Sequence, residues 1–353
     1  MLGRIRGIIR NQLVLLSSAV ASINSIENHL ARQVDTTLSG IQKKIEELAQ
    51  AQSRSETETA STLRQLKDHS KWGRRALSDL YRLQLLQSNP RYSEPGRLLG
   101  SGAKFFSQND EDGIIAEIFN RIGITNRTFI EIGAGAGDEN NTLFLLVQGW
   151  QGCWLEANAT AVENCLAQLK RHIDSGALRL ANLRVTKENI SGVLKDLGAA
   201  TDPDLLSIDL DGNDYHILGR CLEFLRPRVI VAEYNVFLGP SIPLILPYDP
   251  EHRWDGSTKF GASLKAFELL GREHGYSLVG CNISGVNAFF VQDELVADKF
   301  AQPYSSENHF EPCRFPQIEF GLPYRASVND FRFVTKENSE PSFSNESCVY
   351  LEA

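Results

Sequence analysis

Along the first fifty residues, apolar side chains recur at steps of three and four: Ile9, Leu13, Leu16, Val20, Ile23, Leu30, Val34, Ile41 and Leu48. Glu27, Thr37 and Lys44 interrupt the seam, and the stretch from Ile9 to Leu48 holds no proline and one glycine, Gly40. This period predicts a coiled coil rather than an ordinary surface helix. Helical throughout, it would reach roughly 70 Å at 1.5 Å per residue. A helix of this polarity has nothing of its own to bury the seam against, so self-association is expected. The strand number stays open because Ile, Val and Leu mix at both seam positions. The register lapses in AQAQSRSETETAST, residues 49–62, which reads as a weaker helix or flexible joint. A second amphipathic stretch carries Leu63, Leu66, Trp72, Leu77, Leu80, Leu83 and Leu86, and Asn89 with Pro90 ends it. Residues 1–90 are thus expected as a helical coiled coil and 91–104, with Pro95, Gly96, Gly100 and Gly102, as a linker. A domain follows over 105–335, and 336–353 form a flexible tail.

Beyond Asp110 the pattern changes to short apolar runs alternating with amphipathic stretches. The predicted strands are Thr128 to Ile132, Cys153 to Glu156, Leu178 to Leu183, Leu205 to Leu210, Val229 to Tyr234, Ser277 to Cys281 and Ala288 to Val291. Helical segments separate most of them, which predicts an α/β fold: a mostly parallel, doubly wound sheet with helices on both faces.

Composition narrows the class. Of 353 residues, 42% are hydrophobic, too many for a wholly disordered chain. The longest apolar patch of the N-terminus, Leu13 to Ala21, is short and broken by Ser17 and Ser18, which argues against a membrane span. The helical pattern also runs past any cleavage point, which argues against a secretory signal. Residues 1–90 hold 13 basic and 8 acidic residues, a net +5, so the overall charge of −8 leaves −13 for the remainder. So acidic a domain argues against nucleic acid as a partner. The six cysteines, Cys153, Cys165, Cys221, Cys281, Cys313 and Cys348, form no C-x-x-C pair and read as reduced, mostly buried thiols. No acidic residue precedes Glu27, while Arg4, Arg6 and Arg10 do. That is a coiled-coil end with solvated arginines or a basic tip touching an anionic membrane; three charges attract weakly, which favours the first.

The richest chemistry lies in FIEIGAGAGDENNT, Phe129 to Thr142. A strand carrying Glu131 runs into Gly133, Gly135 and Gly137 before a helix near Asn141, so the backbone can turn tightly and approach a ligand. A dinucleotide fingerprint needs glycine three residues after Gly135, where Asp138 stands. GCWLEAN then ends the next strand in Glu156, 19 residues after Gly137, where a carboxylate can bind both ribose hydroxyls of an adenosine. In DLLSIDLDGNDYHIL a strand ends at Asp209, followed by Asp211, Gly212, Asn213 and Asp214. RPRVIVAEYN ends in Glu233, Tyr234 and Asn235. Asp209, Asp211, Glu233 and Asn235 make an oxygen cluster suited to Mg²⁺ or Mn²⁺, with helix capping as the alternative reading. His216 and His252 are the candidate general bases.

These motifs, with SQNDEDGII, VTKENI, FGASL and NAFFV, make the sequence from Ser107 to about Val291 resemble the FkbM-like methyltransferases, which depend on S-adenosylmethionine (SAM). The resemblance implies a Rossmann-like methyltransferase sheet with its last strand antiparallel. It implies SAM contacts at Glu131, Gly133, Ala134, Gly135, Gly137, Asn141, Thr142, Glu156, Ala157, Thr186 and Asp209. Asp209, His216 and Glu233 are expected as catalytic residues. The Asp209 and Glu233/Asn235 strand ends also look like the metal site of catechol-type O-methyltransferases, although Glu233 and Tyr234 stand where those enzymes have Asp followed directly by Asn. The family suggests O-methylation of a sugar hydroxyl on a bacterial glycan or glycolipid. The loop from Phe237 to Lys259, rich in aromatic and acidic residues, suits a sugar or a lid. The expected location is the cytoplasm, with contact at the inner membrane or with glycan-assembly machinery as the variant. The alternatives are methylation of protein or lipid, and a scaffold whose SAM-binding domain does not turn over.

Overall fold

A computed structural model describes residues 2–314 and 330–334, apart from the side chains of residues up to 32 and of several later positions in the first helix. The expected tail, residues 336–353, lies outside the described residues. The chain divides into two compact units, Met1–Trp72 and Gly73–Ala353.

The first helix, α1, spans Leu2–Ser88 without a break, so of the two readings of 49–62, weaker helix or flexible joint, the helix is the one present. That segment lacks proline and glycine, and its Thr57, Thr59 and Thr62 hydroxyls donate to carbonyls four residues earlier, which satisfies them without leaving the helix. Gln52 also donates to Glu56 across one turn. The seam residues Ile9 to Leu30, Val34 and Ile41 lie outside the described side chains. Leu38, Ile45, Leu48, Leu63 and Leu66 are exposed. Leu38 and Ile45 each stand one residue beyond the expected interruptions Thr37 and Lys44, so the apolar stripe continues there with its phase displaced by one.

The second unit is built on a seven-stranded sheet. Its strands are β1 (Thr128–Ile132), β2 (Gln151–Glu156), β3 (Leu178–Asn182), β4 (Leu205–Ile208), β5 (Val229–Glu233), β7 (Tyr276–Cys281) and β8 (Asn287–Gln292). They lie in the order β3-β2-β1-β4-β5-β8-β7, and β8 runs antiparallel to both neighbours. All seven expected strands are present, and the final one is the antiparallel one. Two short strands too brief to show a period, β6 (Leu244–Ile245) and β9 (Arg332–Phe333), pair separately. The helices flanking the sheet are α2 (Glu111–Ile122), α3 (Leu143–Val147), α4 (Ala159–Gln168), α5 (Lys170–Asp174), α6 (Ile190–Asp196), α7 (Asp214–Leu222) and α8 (Leu264–Glu273). Alternate strand residues feed two cores. Ile130, Leu206 and Ile230 pack with α6, α7 and α8 on one face; Phe129, Leu205 and Val229 pack with α2, α3 and α4 on the other. Four of the six cysteines, Cys153, Cys165, Cys221 and Cys281, are buried thiols.

Residues 91–104, expected as a linker, are folded onto this unit. Tyr92, Leu98 and Leu99 are buried, and Leu85 and Leu86 of α1 pack with Tyr92, Leu99 and Ile283. A buried carboxylate secures the segment: Glu311 accepts from Tyr92 Oη at 2.8 Å and pairs with Arg91 at 3.1 Å and Arg314 at 3.0 Å. Proline and glycine mark turns in a sequence, but packing of those turns depends on partners some 200 residues away and leaves no local sign.

Candidate active site

The carboxyl ends of β1, β2, β4 and β5 open into one crevice of about 1030 Å³. It lies where the strand order reverses between β1 and β4, the place where open α/β sheets bind ligands. Seven carboxylates line it, from Glu131, Asp138, Glu139, Glu156, Asp209, Asp211 and Glu233, against two arginines, Arg184 and Arg253. The balance favours a cationic ligand and disfavours a pyrophosphate.

The glycine loop after β1 is held from both sides. Gly133 N donates to Leu155 O at 2.8 Å, and a Cβ on Gly133 would stand 1.7 Å from Asp209 O at a φ of +86°. Gly137 is likewise pressed against Trp154 and Cys165, whereas a Cβ on Gly135 would meet nothing within 4 Å, so Gly135 faces open space. Glu156, at the end of β2, accepts from Gly135 N through Oε2 at 2.8 Å and from Asn158 N through Oε1 at 2.7 Å. The strand-end acid therefore both faces the crevice and shapes the loop across from it. Ala134, Asn141 and Ala157 also line the crevice.

Glu131, which lines the crevice, and Gly137 and Thr142 also shape the loop. Glu131 is buried, and its oxygens accept from Asn140 Nδ2, Asn141 N, Thr142 N and Thr142 Oγ1. Burial nevertheless pushes its carboxyl up to about 7, the four donors pulling the other way. Thr142 is buried, accepting at Oγ1 from Trp154 Nε1 at 2.7 Å, and Gly137 and Thr142 are not among the lining residues. Thr186 closes a turn with Asn189 beside the lining residues Arg184 and Val185.

On the far side, oxygens of Asp209, Asp211 and Glu233 lie within 4.8 Å of one another. Burial and the neighbouring acids raise both the Asp209 and Glu233 carboxyls well above the usual carboxylate range. Glu233 Oε2 is buried without a partner, and acids this close favour a proton or a cation among them. Asp214 builds the loop: its oxygens accept from Leu210 N at 2.6 Å and Gly212 N at 2.9 Å, and Asp211 adopts a positive φ of 55°. Asn235 does not join the cluster. Its Nδ2 donates to Thr258 O and Phe260 O, and its Oδ1 accepts from Phe237 N, so capping and loop bonding use both donors and one acceptor position of the amide, and it is not among the residues lining the crevice.

His216 is also not brought to the crevice. It is buried, its Nε2 lies 2.8 Å from Leu246 O, and its ring packs edge-on against Tyr215 and Tyr248. One turn into α7 its side chain already points into the core. His252 does line the crevice; its ring lies over Gly212, where a Cβ would meet it at 2.2 Å, and its Nε2 is buried with no partner. Phe237 and Trp254 of the aromatic loop, and Phe260 directly after it, line the crevice, with Trp254 half exposed. Sequence reasoning passed over Gln108, Asn140 and Asn287, which line the same space. Their only sequence signal was membership of motifs read for the resemblance.

No family model and no curated protein matches the chain. Among solved structures it is similar to an O-methyltransferase from Bacillus cereus in complex with SAH, at 16% identity over 60% of this chain and 88% of that one, TM-score 0.36. It is also similar to precorrin-6y C5,15-methyltransferase from Geobacter metallireducens, at 16% identity over 56% and 97%, TM-score 0.33. A third is the methyltransferase domain of METTL16, at 14% identity over 62% and 79%, TM-score 0.36. All three are named methyltransferases, of more than one kind.

Proposed function

We propose that this chain is a SAM-dependent methyltransferase acting on a hydroxyl. The observation that carries the reading is Glu156, a crevice carboxylate bonded to Gly135 of a glycine loop that lacks the third glycine of a dinucleotide fingerprint and is surrounded by acids. SAM, when bound, supplies a methyl group on a cationic sulfonium. Glu156 would hold the ribose, Gly133, Ala134 and Gly135 would present backbone to the amino-acid part, and Arg184 and Val185 would flank the base. Glu131, with Asn141 and Thr142, keeps the loop in shape.

The acceptor then lies toward Asp209, Glu233 and His252. Asp209, Asp211 and Glu233 suit Mg²⁺ or Mn²⁺, which would lower the pKa of an acceptor hydroxyl; His252 is the general base within the crevice. A sugar hydroxyl of a glycan or glycolipid is supported by Phe237, Trp254 and Phe260 beside carboxylates, since sugar faces stack on rings and sugar hydroxyls bond acids. This is the FkbM-like reading of the motifs. The exposed stripe on α1 supports self-association. Among the described residues no helix is long and apolar enough to cross a membrane. A cytoplasmic location within reach of glycan-assembly machinery at the inner membrane is part of the glycan reading.

Calorimetric titration with SAM, followed by transfer of tritiated methyl from SAM to neutral glycosides, tests the reading. Micromolar SAM binding with transfer supports it; absence of SAM binding refutes it, and binding with no transfer to any hydroxyl acceptor favours the scaffold. Full transfer by Asp209→Asn, and by the wild type in chelator, would remove the metal.

A further inference from the structure

The crevice floor continues past Glu233 onto β8, where Asn287 stands directly opposite Glu233 in the strand register. Opposed residues of an antiparallel pair leave the same face of the sheet, and both residues line the crevice. Four strand spacings of about 4.8 Å separate β8 from β2, so Asn287 lies roughly 19 Å from the Glu156 end. A ligand anchored at Glu156 leaves this end to a second one.

An asparagine amide can face either way, and here Glu111 decides. Glu111 is buried without solvent access. Its Oε1 accepts from Asn282 Nδ2 at 2.6 Å and from Asn287 Nδ2 at 3.0 Å, and its Oε2 accepts from Asn109 N at 2.8 Å. Carboxylate oxygens offer no donor, so Asn287 must turn its NH₂ toward Glu111 and its Oδ1 away. Asn282 is fixed as well, its Oδ1 accepting from Val286 N and Asn287 N. What remains is Asn287 Oδ1, buried and without a partner. Leaving a buried acceptor unpaired is costly, and here it sits beside Glu233 in a ligand crevice together with the unpartnered His252 Nε2.

We propose that Asn287 Oδ1, with Glu233, forms the acceptor subsite and selects a hydrogen-bond donor beside the methylated oxygen, a neutral hydroxyl or an amine, while rejecting phosphate and carboxylate. Glu111 is its positioning residue. The proposal rests on the methyltransferase reading and deepens it. Glu233 and Asn287 Oδ1 both accept, so with no cation bound a ligand that brings only acceptors to this pair finds no partner there and meets repulsion.

The test uses the full chain in chelator, saturated with SAH and titrated with methyl glucoside, methyl glucosaminide and glucose 6-phosphate. The first two are expected to bind at least about ten-fold more tightly than the phosphate. Asn287→Leu should weaken the glucoside about ten-fold with SAH affinity unchanged. Asn287→Asp should weaken the glucoside by setting two carboxylates face to face, while methyl glucosaminide, whose ammonium pairs with the new carboxylate, should lose less. A purely packing role would not split the two sugars. Equal binding of the phosphate, a glucoside affinity within two-fold of wild type in Asn287→Leu, an equal loss of both sugars in Asn287→Asp, or no binding of any probe would each overturn the proposal. Failure of the wild type to bind SAH would instead overturn the methyltransferase reading.

Discussion

Glu156→Ala tests the cofactor end of the crevice most directly, because one carboxylate does two things there. Its oxygens accept from the backbone N–H groups of Gly135 and Asn158, at 2.8 and 2.7 Å, and its outward lone pairs are the ones a ribose would use. Hydrogen bonds to charged groups contribute about 1.5 to 3 kcal/mol each. Losing the ribose contact and loosening Gly135 should therefore weaken SAH binding by at least about 3 kcal/mol, or roughly 100-fold in Kd. Glu156→Gln keeps one acceptor but turns an NH₂ toward a backbone donor, so its Kd should rise about ten-fold, between wild type and Ala. Isothermal titration with SAH reads the series, and thermal unfolding reports whether each variant is folded. A folded Glu156→Ala protein whose Kd stays within about three-fold of wild type would refute the ribose assignment.

Gly133→Ala must displace the Asp209 carbonyl from a 1.7 Å clash and hold alanine at positive φ, so a Tm at least about 5 °C lower and loss of SAH binding are expected. His216→Phe should cost about 1 kcal/mol of stability, measured by urea unfolding, and leave methyl transfer intact, whereas His252→Ala should cut transfer at least about ten-fold. Burial beside Glu111 pushes the Asp110 carboxyl up to about 8. The folded chain then keeps a proton that the unfolded chain releases near 4, so stability falls as pH rises between those values. Tm should drop from pH 5 to pH 8.5 more steeply in wild type than in Asp110→Asn, and parallel curves would discard the assignment.

What could be read from the sequence follows from how local its causes are. Buried parallel strands are continuous apolar runs, so FIEI, CWLE, LLSI and VIVAE marked β1, β2, β4 and β5 within two residues at either end. Strand-end acids were equally visible. Which of their oxygens remain available was not, because that depends on loop N–H groups whose direction only the fold determines. Glu131 and Asn235 carry the right chemistry and use most of it on their own loops, while Glu156 uses one bond on each oxygen. His216 was misread because a side chain one turn into a helix can face the core or the crevice with the same sequence around it. Asn287 escaped notice because its orientation is set by Glu111, 176 residues away.

The Glu311 cluster also decides where this protein can be cut. A chain shortened to begin at Phe105 would remove Arg91 and Tyr92, leaving Glu311 with Arg314 in a pocket meant to be dry. It would also uncover the niche that Leu98 fills against Gly280 and strip Arg121 of the Gly96 and Arg97 carbonyls that receive it. Breaking a buried ion pair from one side costs about 3 to 5 kcal/mol, a large share of what holds a domain together. Excision near Trp72, at the limit between the two compact units, spares all of these contacts and is where an autonomously folding fragment should start.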